Sequence, residues 1–551
     1  MPHPLRLVFL GGLGEVGRNM ACLEMKGRLL VLDTGLSFPG EDMPGVDLVL
    51  PDYQYLRERR DRIAGVVLTH GHEDHVGALP YLLREFPLQV YATRLTTGLL
   101  RSKLEEHQVT DRATFHEVEP GGAVRVGPFS IRFLRVTHSI PDGVAVAIDT
   151  PFGTVLHTGD FRLDSTPIDG RITDLQGLAE EARRGVHVML SDSTNAEDEG
   201  TVPSERSVGP ELAAIIRYAP RLVVVACFAS HIHRIQQVCD AARAAGRKVA
   251  FLGRSMHQSL EQAGSLGYLH VPDSDIVDIE AVRELPPRSV CVVCTGSQGE
   301  PLSALALMAA HENKWVRLQE QDTVILSSSV IPGNEVAIHR VVDGLFRTGA
   351  DVFHTGNAHV HVSGHAAAEE LKLMLNLIRP RWFIPVHGER RHLSAHAKLA
   401  RGVGIPGDRI LVCEDGDMVE IGEQVRAVDR VPAGMILVDG LGIGDVGEVV
   451  LRDRRKLAGD GVVVVVLTAD AHSGEVLAGP DIITRGFIHD ETSEDILEEA
   501  RHRTLLSLKE VEREEVGDRS ILGQHVRRTL GKYFFEVTQR KPVIVPVIME
   551  V

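Results

Sequence analysis

The chain has 551 residues, 43% hydrophobic and 25% charged, with a formal net charge of −17. That length exceeds what one hydrophobic core serves and points to several domains. The acidic balance argues against a protein that coats nucleic acid non-specifically, so nucleic-acid binding would need a local basic channel or metal ions.

The N-terminal "MPHPLRLVFLGG" reaches strand-like sequence at once and lacks a signal-peptide layout. No run approaches the ~18 apolar residues of a membrane helix. Six cysteines are too few for a disulfide framework, and the expected compartment is a reducing cytoplasm. The next stretch, "GGLGEVGRN", contains Gly12-x-Gly14-x-x-Gly17, a match to the dinucleotide fingerprint. That motif needs a helix to follow, whereas "MACLEMKGRLLVLD" reads as strand, turn, strand. A tight glycine loop lining a site is the better reading.

Through residue 192 the strand candidates include "RLLVLD", "GVVLTH", "SIRFLRVTH", "TVLHTGD" and "VHVMLSD", several joined by tight turns. This style is hairpin-built and partly antiparallel. From about 206, amphipathic helices such as "RIQQVCDAARAAG" alternate with strands such as "RLVVVACF" and "TVILSSS", as in a doubly wound parallel unit. Cys291 and Cys294 lie in one such strand, "SVCVVC", where residues three apart face opposite sides, so they read as two buried thiols. The first style returns at "RPRWFIPVHGE", so one domain is interrupted by another. A Gly-rich connection follows about 425. The last hundred residues read as a small α/β domain: a strand pair, two charged amphipathic helices ("TSEDILEEARHRTLLSLKEVE" and "RSILGQHVRRTLGKYFFEV") and a final strand.

The stretch "VVLTHGHEDHVGALP" (66–80) crowds His70, His72, Glu73, Asp74 and His75 into six positions between a strand and a helix whose first turn holds Pro80. Imidazole and carboxylate donors suit borderline divalent ions. Four such ligands cannot all reach one tetrahedral ion comfortably, which suggests two ions. Further candidates also end apolar strands: Asp33, His138, Asp160, Asp192 and His387. Strand ends gathered on one rim make a site there.

His70-x-His72-x-Asp74-His75, His138, and Asp160 within "HTGD" resemble the metallo-β-lactamase superfamily. "HVSGH" (361–365) and "PVHGE" (385–389) resemble its β-CASP nuclease branch. With the "FLGGLGEVGRNM" start and the extra C-terminal domain, the chain resembles the bacterial ribonuclease J family along essentially its whole length. The resemblance implies an α/β fold: an αββα metallo-β-lactamase sandwich in two parts (1–205 and 361–425), an inserted doubly wound β-CASP domain (206–360), a linker (426–455) and an α/β C-terminal domain (456–551). It also implies two divalent ions, zinc or manganese. His70, His72 and His138 would hold one, Asp74, His75 and His387 the other, and Asp160 would bridge them. Asp33 resembles a supporting acid, and Glu73 is not a ligand in the family pattern. A histidine at position 387 resembles the RNA-processing members, since DNA-directed relatives typically carry an apolar residue there.

The activity so implied is hydrolysis of single-stranded RNA, 5′→3′ from a 5′ monophosphate and also internally, in RNA maturation and mRNA decay. His365, oriented by Asp192, is the candidate proton donor to the leaving 3′ oxygen, since imidazole titrates near working pH; a role in positioning phosphate alone is the alternative. Ser230, His231, His361 and Ser363 are the candidates for the 5′ phosphate, within "FASHIHR" and "HVHVSGH". The stretch "SSSVIPGNE" (327–335) is a further candidate for the same channel. The resemblance makes the C-terminal domain an oligomerisation module, with a homodimer or larger assembly expected, other RNA-degradation proteins as further partners and no membrane. The alternatives are a β-CASP DNA nuclease, a small-molecule metallo-hydrolase of the same superfamily, and a metal-stabilised scaffold without activity.

Overall fold

A computed structural model describes residues 5–40, 42–300, 302–331, 334–470, 476–488, 494–509 and 519–551. The chain forms two compact units, 1–38 with 48–436 and 39–47 with 437–551.

Two sheets dominate the first unit. One has eight strands in the order Val425–Arg430, Asp417–Ile421, Leu5–Gly11, Met20–Met25, Arg28–Leu32, Ile63–Val67, Leu88–Thr93, Ala113–Val118. The other has six: Trp382–Val386, Val186–Asp192, Gly153–His157, Val144–Thr150, Phe129–Arg135, Ala123–Val126. One core joins their inner faces, with Leu7, Phe9, Leu23 and Leu30 from the first sheet against Phe133, Val146, Val188 and Ile384 from the second. Behind the six-stranded sheet, the helices Leu175–Arg184, Ala368–Ile378 and Arg390–Gly402 bury Leu178, Leu375 and Ala400 against Leu156 and Phe383. This is the expected sandwich.

The interruption has a structural origin. Val186–Asp192 and Trp382–Val386 pair in parallel, Asp192 opposite Val386. Parallel neighbours require a long crossover, and here the crossover is a whole domain. Its five strands, in the order Lys248–Leu252, Val290–Cys294, Val223–Ala226, Thr323–Leu326, Asp351–Phe353, are all parallel. The three central ones, VCVVC, VVVA and TVIL, are buried along their whole length and read as near-continuous apolar runs. Cys291 packs into one flanking core and Cys294 into the other.

The second unit carries a three-stranded sheet, Val476–Arg485, Val462–Ala469, Val543–Glu550. Its apolar core draws on the helices Glu494–Lys509 and Arg519–Thr538. Residues 492–493 and 510–512 of the expected first helix lie outside the described residues. The stretch expected as a connection contains secondary structure: Val425–Arg430 extends the eight-stranded sheet, and Glu448–Asp460 is a helix. Among the described residues no helix is long and apolar enough to cross a membrane.

Candidate metal centre

The glycine loop is followed directly by the strand Met20–Met25, so it serves no dinucleotide helix. Instead it lies beside the rim where the strands of both sheets end. Asp192 closes one strand, and His387 directly follows the strand beside it. His70 to His75 occupy the turn after Ile63–Val67 and the short helix Glu73–Val76. Asp33 and His387 both adopt left-handed backbone, with φ of 58° and 54°. For non-glycine residues this costs on the order of 1–3 kcal/mol and persists only where the surroundings enforce it.

Among the described residues, three overlapping sets of donor atoms converge, the third being Asp160, Asp192, His365 and His387; the other two match the expected ion sites. In the first, Nε2 of His70 and Nε2 of His138 lie 3.0 and 3.1 Å from Nδ1 of His72. Asp160 Oδ2 is 3.6 Å from His70 and 3.8 Å from His138. In the second, the same Oδ2 is 3.2 Å from His75 Nε2 and 3.4 Å from His387 Nε2. Asp74 Oδ2 is 3.6 Å from the former and 3.7 Å from the latter. Within each set, all donor atoms lie within 4.8 Å of one another. A tetrahedral ion with bonds of about 2.1 Å needs donor separations of about 3.4 Å, so the first two sets have the dimensions of a coordination shell. His72 Nδ1, facing two ring nitrogens, can pair with them only as the tautomers allow, and His387 Nε2 is buried without a hydrogen-bond partner. The residues fit a divalent metal.

The outward ring nitrogens are held. His75 Nδ1 is 2.8 Å from Asp33 Oδ2, His138 Nδ1 donates to Gly364 O at 2.7 Å, and His387 Nδ1 is 2.9 Å from Asn19 Oδ1. Asp33 also accepts from the Thr69 N–H and hydroxyl, and the Thr69 oxygen meets His70 Nδ1 at 3.0 Å. Such partners fix which nitrogen keeps its lone pair for a metal. Burial, reinforced by neighbouring imidazoles, holds His70 and His138 well below the ordinary range, and burial takes His72 down to about 4. Burial also opposes charge on His75 and His387, yet the Asp160 carboxylate raises both. A field that draws protons there draws cations as well.

His365 sits at the edge of this group, its Nδ1 2.8 Å from Asp192 Oδ2, with a fifth of its side chain exposed. Asp192 is aimed by Thr194, whose N–H and hydroxyl reach its Oδ1 at 3.0 and 2.8 Å. Burial disfavours the imidazolium, but Asp192 outweighs it and carries His365 up to about 9. Ser363 Oγ is 3.2 Å from the His365 N–H and 2.8 Å from Asn195 Nδ2. Half-buried His361 lies 3.4 Å from Arg234, and half-buried Ser230 precedes the helix Ile232–Ala244. His231 is buried, 3.4 Å from Glu205. In the 327–335 stretch, Pro332 and Gly333 lie outside the described residues, and Ser327 is buried against Arg234. Glu73 faces solvent and pairs with Lys103, away from the donor sets. The sequence reading missed Asn19, Thr69, Thr194, Asn195 and the Gly364 carbonyl; for Asn19 the signal was the glycine loop just before it.

Fold and rim together define a metallo-β-lactamase enzyme of the β-CASP branch, and family profiles agree. Residues 13–195 match the metallo-beta-lactamase superfamily and 355–409 the Zn-dependent metallo-hydrolase RNA specificity domain. Residues 220–345 match the beta-CASP domain of ribonuclease J, and 449–551 its C-terminal domain. The chain is 45% identical over 549 residues to ribonuclease J of Mycobacterium tuberculosis (strain CDC 1551 / Oshkosh), covering 99% of this chain and 97% of that protein. It is 41% identical over 548 residues to ribonuclease J2 of Bacillus subtilis (strain 168), covering 99% of both. A crystal structure of a protein of unknown function from Enterococcus faecalis V583 shares the fold, with a TM-score of 0.54 and 15% identity over 76% of this chain and all of that one. The chain belongs to the ribonuclease J family.

Proposed function

We propose that this metal-dependent ribonuclease degrades single-stranded RNA 5′→3′ from a 5′-monophosphorylated end and also cuts internally, in RNA maturation and mRNA decay. Two ions per chain, zinc or its manganese alternative, are assigned to His70, His72, His138 and Asp160 and to Asp74, His75, His387 and Asp160. When bound they supply an activated water at neutral pH and neutralise charge on the phosphate. His365, held as imidazolium by Asp192, donates a proton to the leaving 3′ oxygen as the P–O3′ bond breaks. The product keeps a 5′ phosphate, so each cut regenerates the end the next cut needs.

Ser230, His231, His361 and Ser363 are assigned to that phosphate. The observation that carries the end-specific reading is the 3.2 Å between Ser363 Oγ and the His365 N–H. This local turn holds the two assigned residues on one short loop, which supports a phosphate contact close to the assigned proton donor. The division at 205, 360, 425 and 455 is retained as the domain assignment. The exposed Ile483, Val545, Val547 and Met549 on the C-terminal sheet support a homodimer through that domain. Six free, buried cysteines suit a cytoplasmic enzyme.

The test uses single-stranded RNA bearing a 5′ monophosphate, triphosphate or hydroxyl, and matched DNA, with and without chelator. Mononucleotides from the monophosphate substrate, abolished by chelator, are expected. Equal rates on all three ends, or turnover that resists chelation, would contradict the assignment.

A further inference from the structure

We propose that Asn19, carried by the glycine loop, is the positioning residue that presents His387 as a ligand and so governs ion occupancy of the Asp74, His75, His387 and Asp160 set. The inference rests on the two-ion reading above and adds a determinant to it.

Asn19 reaches three members of the site at once. Its Nδ2 donates to Asp74 O at 3.0 Å, its backbone N–H donates to the same oxygen at 3.0 Å, and its Oδ1 lies 2.9 Å from His387 Nδ1. Nδ2 also lies 3.1 Å from His75 Nε2, so the amide spans two ligands of one set. The orientation of the amide follows from its partners. The Asp74 carbonyl can only accept, so Nδ2 must face it and Oδ1 must face His387. An amide oxygen can only accept in turn, so the His387 proton sits on Nδ1. Nε2, the atom 3.4 Å from Asp160, is then left with its lone pair. Replacing Asn19 frees the ring to take the other tautomer and to turn.

The loop explains how a residue 368 positions away is held at this spot. Leu13 and Gly14 pair in parallel with Gly388 and Glu389, so the loop grips the chain just after His387. Its glycines leave room for Asn19. A Cβ at Gly12, where φ is 93°, would stand 2.4 Å from Asn19 Oδ1. Outside the loop, a Cβ at Gly35, just after the strand Arg28–Leu32, would stand 1.7 Å from Asp74 O and 2.6 Å from Asn19 N. On the far side, buried Arg18 fixes the loop by pairing with Glu15 at 2.6 Å and donating to Gly434 O at 2.9 Å. The motif that mimics a dinucleotide fingerprint is thus the mount for one side chain.

The test titrates the purified full-length chain, stripped of metal, with Mn²⁺ alone and reads free Mn²⁺ by electron paramagnetic resonance. Wild type should take up two ions. Asn19→Leu should weaken one ion on the order of 10–100-fold, the usual cost of losing a ligand's hydrogen-bond partner, and leave the other unchanged. His387→Ala should weaken the same ion. Asn19→Asp keeps an acceptor for His387 Nδ1 but turns a second oxygen toward the Asp74 carbonyl, so it should recover only part of the affinity. Asn19→Ser, too short to reach the ring, repeats the loss with less disturbance of packing, and thermal unfolding checks that each variant is folded. Wild-type affinity for both ions in Asn19→Leu and Asn19→Ser, or equal weakening of both ions, overturns the role of Asn19 while the two-ion reading stands. Fewer than two ions on wild type overturns the two-ion reading and the Asn19 role with it.

Discussion

The first unit buries two large polar clusters, and they are built on opposite principles. Around Asp160, nitrogens face nitrogens at about 3 Å and one carboxylate oxygen serves both expected ion sites. Around Glu205, opposite charges meet. Arg234 reaches Glu205 at 2.7 Å, Arg162 reaches Asp164 at 3.2 Å, and Ser204 and the Glu205 N–H both bond Asp164 at 3.0 Å. These charges compensate one another, so removing one partner strands the other in the interior, although Glu205 Oε2, Arg162 Nε and both His231 nitrogens are left without a hydrogen-bond partner. Around Asp160 the donors instead converge on common points within 4.8 Å of one another, the arrangement a cation would complete. The comparison sets converging donors around one carboxylate beside paired opposite charges, a distinction that burial alone does not make.

The largest expected effect attacks the shared oxygen. Asp160→Asn should cut chelator-sensitive RNA turnover roughly 10³-fold or more, the several kcal/mol that metal ions supply, while urea unfolding of the metal-free protein changes little. The converse variant, Glu205→Ala, should leave metal stoichiometry intact and lower unfolding free energy by about 3–5 kcal/mol, because it strands a buried guanidinium. If Glu205→Ala emptied the metal sites and left stability unchanged, the contrast between the clusters would fail. His365→Ala should slow cleavage about 10²–10⁴-fold with metal content unaffected; a parallel loss of metal would make His365 a ligand instead of a proton donor.

The smallest effect is a pH slope. Burial disfavours the Glu205 carboxylate, but His231 and Arg234 overrule it and hold it below its ordinary 4.5. Its contribution to stability is therefore complete above about pH 4.5 and lost as pH falls below that value. His231, driven by burial from 6.5 to about 4, resists protonation in the fold and adds a loss in the same direction over that interval. Stability measured from pH 7 down to about pH 2 should fall, and Glu205→Gln should flatten the part below about pH 4.5. A flat wild-type profile would contradict the pairing.

Much of the metal rim was legible in the sequence because each ligand ends an apolar strand or follows one closely, a local signal. The inserted domain was legible because its periodicity differs from what surrounds it. Partners that meet only in three dimensions were not. Asn19 and His387 carry no shared pattern, and the Gly364 carbonyl that holds His138 has no side chain to notice. The Glu205–Arg234 pair is equally silent, as is the burial of His231 at 3.4 Å from Glu205. The helix Glu448–Asp460 was missed because only Leu451 is buried along it, so no apolar stripe marks its period.

The central claim is tested most directly by anomalous scattering from crystals of the full chain grown with Zn²⁺. Two peaks are expected, about 3.5–4 Å apart, one on each side of Asp160 Oδ2. A single peak, or density at the Glu205 cluster instead, would contradict the account.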